Sequence, residues 1–160
     1  MILFSGKADT QRGMALLMSL VFLLLLTLIG ISSLQNATLQ EKMAGSVTLR
    51  NQTFQSAEAA LRIGESAVQL STYTLAACAN ATQCAPPAES STVTAAGLNS
   101  TSGVNWITAG SGFYGVQNIG TTLNAVNVPS NTSATLYRVT AVGIAGNNVR
   151  SVLESIYAKY

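Results

Sequence analysis

The side chains that could carry chemistry are few. Histidine is absent, and the only aspartate is Asp9. Beyond it the carboxylates are Glu41, Glu58, Glu65, Glu89 and Glu154. No histidine-based triad, HExxH zinc helix, EF-hand loop or aspartate pair can be assembled from this set. A GxxxxGK[ST] phosphate loop is also missing. The usual routes to an enzyme are closed, and no cofactor is expected. Two cysteines, Cys78 and Cys84, enclose ANATQ. Two thiols without histidine or a second cysteine pair fall short of a four-ligand zinc site. Outside the cytoplasm such a pair favours a disulfide. Arg138, Arg150 and Lys159, with Tyr137 and Tyr157 beside them, could form a weak basic face for a ligand such as DNA. Three cations among ordinary strand residues, in a chain of net charge +2, fit a solvated sheet face better. Five N-x-[ST] triplets are what chance gives in a chain so rich in Asn, Ser and Thr.

The elements around these residues are more informative. With 160 residues, the chain has room for one domain with a modest core. Only 9% of its residues are charged, and much of the apolar content lies in the first 31. Met14 to Ile31 is interrupted only by Ser19, Thr27 and Gly30, and no charge occurs between Arg12 and Glu41. Roughly 20 apolar residues cross a bilayer's hydrocarbon core. A secretory signal has a shorter apolar core followed by a small-residue cleavage site, and no clear A-x-A site follows here. Residues 14–34 are therefore read as a transmembrane segment. Lys7 and Arg12 on the N-terminal side place that side in the cytoplasm and the rest outside.

Helical periodicity continues past the apolar run. Leu39, Met43, Val47, Arg50, Phe54, Ala57, Leu61, Gly64 and Val68 recur at spacings of four and three, which makes one narrow stripe on a helix. Glu58 and Arg62 stand at i, i+4 with the acid first, the favourable order. No proline occurs before Pro86. The pattern predicts one helix from Met14 to about Leu70, about 85 Å long, with residues 35–70 as its amphipathic continuation. Phe54 to Val68 are expected to pack under a head, and Leu39, Met43 and Val47 against neighbouring subunits.

A short leader ending in glycine, an apolar run and an extended amphipathic helix together resemble type IV pilins. The likeness sharpens in QRGMALLMSLVFLLLLTLIG, LQNATLQEKMAG and RNQTFQSAEAALRIGE, within residues 11–65, and in the closing YRVTAVGIAGNNVRSVLESIYAK. These are similar to PilX-type minor pilins, over about half of the chain. The resemblance implies an α+β pilin fold, with the long helix packed against a C-terminal antiparallel sheet. It implies a leader, residues 1–13, cut after Gly13 by a prepilin peptidase to leave Met14 at the mature N-terminus, and methylation. Most pilins carry glutamate at the fifth mature position, where this chain has Met18. In that family the carboxylate is thought to meet the N-terminal amine of the adjacent subunit. A subunit with none ahead of it has no amine to meet, so Met18 is consistent with a place at the filament tip.

Residues 71–111 read as an irregular, disulfide-bearing region, and residues 112–160 as an antiparallel sheet within a head of three to five strands. Phe113 to Ile119 and Ala134 to Ile144 have strand character, and Ala145-Gly146-Asn147-Asn148 is a hairpin signal before Val149 to Tyr157. The expected protein is a non-catalytic minor pilin of the inner membrane and then of the pilus, working in assembly, twitching and adhesion. Its implied partners are other minor pilins, the major pilin, a PilY-type tip adhesin, the prepilin peptidase and membrane lipid, with nucleic acid disfavoured. The competing readings are a single-pass anchor with a periplasmic or surface binding head, and a type II secretion pseudopilin.

Overall fold

A computed structural model describes residues 9–146 and 148–160. Most of the expected leader, Lys7 included, and Asn147 of the expected hairpin turn lie outside the described residues. Helix α1 runs Asp9–Gln69 without a break. The chain forms two compact units, one ending at Gly45 and one spanning Ser46–Tyr160.

In the first unit α1 is the whole described structure. Its apolar run satisfies its own polar groups. Ser19 Oγ donates to Leu16 O and Thr27 Oγ1 to Leu24 O, each at 2.8 Å, so neither hydroxyl needs an outside partner.

The second unit holds the rest of α1 and a five-stranded antiparallel sheet whose spatial order is the chain order. The strands are β1 Gly97–Leu98, β2 Asn105–Ala109, β3 Gly112–Thr122, β4 Ala134–Ala145 and β5 Val149–Lys159. This is the α+β pilin-like arrangement expected, with a longer sheet. It starts at Gly97, inside the stretch read as irregular. That stretch also holds helix α2, Ala81–Cys84, and a 3-10 turn at Ala88–Ser91. β1 and β2 escaped notice because two and five residues are too few to display alternation. The β4–β5 hairpin turns through Gly146 and Asn148, both at positive φ, a conformation that glycine and asparagine tolerate.

Alternate residues of β4 serve two cores. Tyr137, Val139 and Ala141 face α1 with Tyr114 and Val116 of β3, packing on Ala60, Leu61 and Val68. Val142 faces the other way and packs with Val104, Trp106 and Phe113. The sheet is thus covered by helix on one face and by the segment preceding β2 on the other. Being apolar on both faces hides its inner side from a pattern argument.

The buried line on α1 is Thr53, Ala57, Ala60, Gly64 and Val68. This corrects the stripe expected from hydropathy. Ala57, Gly64 and Val68 belong to it, Leu61 is half-buried on its flank, and Phe54 is 49% exposed. The cause is close approach. A Cβ on Gly143 would collide with the Thr53 carbonyl oxygen and the Ala57 amide nitrogen, and one on Gly64 would stand 2.6 Å from Val139 Cγ1. Backbone meets backbone at this seam, so small residues are selected and the largest side chains turn outward. Three polar contacts flank it. Thr53 Oγ1 and Ser151 Oγ are 2.7 Å apart, Ser56 Oγ and Ser111 Oγ 2.8 Å, and Ser155 Oγ donates to Glu65 Oε1 at 2.6 Å.

Candidate functional site: an exposed apolar helix and a braced head

From Gly13 to Gly45 every side chain of α1 is exposed within its unit. Met14 is 65% exposed and Met18 59%. Leu39, Met43 and Val47 are exposed as well. Among the described residues one helix, Gly13–Gln69, is long and apolar enough to cross a membrane. Gly13 and Met14, the expected cleavage pair, lie within α1, and a Cβ at Gly13 would meet nothing within 4 Å.

The head's polar side chains act on the head itself. Cys78 and Cys84 are joined as a disulfide, with Cα atoms 5.2 Å apart. Asn80 caps the enclosed helix α2, its side chain accepting from the Gln83 amide at 2.9 Å. The loop so closed is tied down at several points. Gln117 Nε2 donates to Gln83 O and Ala85 O at 2.5 and 3.0 Å, and Arg138 Nη1 to Cys84 O at 2.6 Å. Cys78 N donates to Asn118 O at 2.9 Å, while Asn118 Nδ2 donates to Leu75 O at 2.7 Å. A cavity of about 250 Å³ lies between this loop and β3. Its Gln117 and Asn118 amides are already spent on those carbonyls, leaving little to orient a ligand. Further along, Glu89 accepts from Ser102 Oγ and from Trp106 Nε1, the latter at 3.3 Å.

The three cations read as a weak ligand face form no such face. Arg138 and Arg150 lie on the loop side of the sheet, where Arg150 Nη1 donates to Val93 O at 2.5 Å. Arg138 also has Nε 3.1 Å from Glu154 Oε1, an ion pair whose N–H is not aimed along the contact. Lys159 reaches the other side, donating to Leu70 O and Tyr73 O at 2.6 and 3.0 Å. All three hold backbone carbonyls of their own chain, from opposite faces. Their sequence positions, even and odd in one strand register, carried that signal: Arg150 pairs with Ile144 and Lys159 with Thr135. Among the described residues no group of His, Cys, Asp and Glu could hold a metal ion. Missed by sequence reasoning were Gln117 and Asn118, whose role as loop anchors depends on side-chain amides meeting carbonyls some 30 to 40 residues away.

A family model described as PilX N-terminal matches residues 12–62. No curated protein and no solved structure matches the chain. The matched span takes in the exposed apolar run of α1 and most of the stretch that packs on the sheet. The match covers about a third of the chain, and with the α+β pilin-like architecture around it the chain is similar to PilX-type type IV pilins.

Proposed function

We propose that this chain is a non-catalytic minor pilin that primes type IV pilus assembly and sits at or near the filament tip, in support of twitching and adhesion. The observation that carries the reading is the overlap of the PilX N-terminal match with a helix whose residues are all exposed within their unit from Gly13 to Gly45. An apolar helix of that length is stable in lipid before assembly and among similar helices afterwards, because both surroundings remove it from water. The head supplies a stable body, and assembly supplies the function. Association with other minor pilins, the major pilin and a tip adhesin follows from that role. Prepilin peptidase would cut after Gly13, leaving Met14 first. Met18, in place of the glutamate usual in pilins, favours a subunit with no neighbour ahead of it.

Reading the mature N-terminus by mass spectrometry tests this. The expected species begins at Met14, and Gly13→Val retains the leader and abolishes incorporation into pili. An intact leader on the native protein, with no pilus component co-purifying, would overturn the proposal. Deleting the gene separates the pilin from a type II pseudopilin: the former loses pili, the latter enzyme secretion.

A further inference from the structure

Between Glu89 and Arg138 the chain carries no charged residue. How the two oxygens of Glu89 are used therefore matters for that whole stretch. Glu89 stands in the 3-10 turn Ala88–Ser91. Ser102 Oγ and Trp106 Nε1 both donate to its Oε1. Ser102 is 6% exposed and Trp106 3%, so the two donors are fixed and hold the carboxylate in one orientation. Among the described residues nothing donates to Oε2. Nor is that oxygen sealed away, since no carboxylate oxygen among them is both buried and unpartnered.

Glu89 and Trp106 line a cleft of about 310 Å³ together with residues 92–99. That volume lies at the small end of ligand sites. Among the described residues, Thr94, Ala95 and Ala96 of the lining make no hydrogen bond, so three carbonyls there are unpaired. The cleft also lacks a cation of its own. Glu58 and Glu154 face Arg62 and Arg138, whereas Glu89 meets neutral donors alone. Arg150 touches the lining through Val93 O but makes no ion pair with Glu89.

We infer that this cleft binds a primary ammonium group on Glu89 Oε2. The neutral donors fix the carboxylate without neutralising it, so its charge is still to be met. A guanidinium pairs best through two parallel hydrogen bonds to both oxygens, and Oε1 is taken. A divalent cation requires about six or more oxygen ligands. An ammonium is a compact single charge with three N–H donors. One suits Oε2, and the others suit the unpaired carbonyls of residues 94–96. Two sources share this chemistry: a free amine and a lysine side chain of another protein.

Trp106 is the chain's single tryptophan and donates to the same carboxylate, so its emission reports an arriving cation. The full-length chain in an uncharged detergent is titrated with n-butylammonium chloride and with the capped tripeptide acetyl-Gly-Lys-Gly amide. A saturable emission change with n-butylammonium is expected. A tripeptide that matches it makes a lysine side chain the source, and one that fails makes a free amine the source. Glu89→Gln keeps an oxygen for Ser102 and Trp106 but removes the charge, and should raise the half-saturating concentration at least tenfold. If that variant does not fold, carbodiimide coupling of n-butylamine to the native chain decides: the amide should form at Glu89 before the exposed Glu41. No saturable change, the same change with sodium chloride or n-butanol, a tighter response to calcium or methylguanidinium, an unaltered response in Glu89→Gln, or coupling first at Glu41 would each overturn it. These readouts use the purified chain and no pilus, so the site can fail while the pilin reading stands, and the reverse.

Discussion

At the scale of single residues, the seam between α1 and β4 decides the head's stability. Its tolerances are set by how near two backbones come. Gly143→Ala puts a methyl group against the Thr53 carbonyl and Ala57 amide, neither of which can move alone, and should destabilise the chain by about 3 kcal/mol. Phe54→Ala, one position from the seam on an exposed flank, should change stability by less than about 1 kcal/mol. Urea unfolding of the detergent-solubilised chain, followed by Trp106 fluorescence, measures both. The hydropathy stripe places Phe54 in the packed face and gives no weight to Gly143, since the property that matters at the seam is smallness. Tyr73 offers a pH readout. Burial, then the neighbouring Tyr137 and Tyr114, raise its pKa above the ordinary 10.0. The folded state therefore holds its proton more tightly than the unfolded state, so stability is intact below pH 10 and falls as pH rises through the raised value. Tyr73→Phe should flatten that alkaline fall in a series of melts from pH 9 upward.

Among elements, the long ones were legible in the sequence and the short ones were not. α1 announced itself through an uninterrupted apolar run and a 3.6-residue period. β4 did so through alternation, and β5 through the Gly-Asn turn that precedes it. β1, β2 and α2 are held by long-range partners, Trp106 on Glu89 and Gln117 on Gln83, and nothing within two to five residues records such a partner. The candidate site divides in the same way. The exposed apolar helix could be read directly, whereas the fate of Arg138, Arg150 and Lys159 required knowing which carbonyls lay within reach. The disulfide loop is an element of the second kind, closed by a covalent bond and tied to β3 and β4 by side chains. Reducing Cys78–Cys84 should lower stability by about 2 kcal/mol, since the enclosed loop is short. Melting curves with and without a phosphine reductant would register this as a drop of several degrees. A double Cys78→Ser, Cys84→Ser variant should match the reduced chain and ignore the reductant.

For the whole molecule, the governing fact is that one helix serves two settings. Its C-terminal stretch is cemented to the sheet by small residues, while every residue from Gly13 to Gly45 is exposed within its unit. Met18→Glu probes what comes to cover that exposed stretch. A carboxylate in an apolar phase is unfavourable, by about 3 kcal/mol at the centre and by less toward the interface where Met18 stands, unless a cation meets it. At a filament tip no subunit ahead offers one, so the variant should give fewer pili per cell by electron microscopy. Unchanged counts would mean that a facing amine is available, against the tip placement. The closed hydroxyls of Ser19 and Thr27 bear on the proposed move from lipid to pilus. Since each donates its hydrogen bond within its own turn, the apolar run would carry no unmet hydroxyl donor from one setting to the next. Exchanging acyl chains for protein neighbours would then be a question of shape, and the run could slide or rotate against whatever surrounds it until the fit is good.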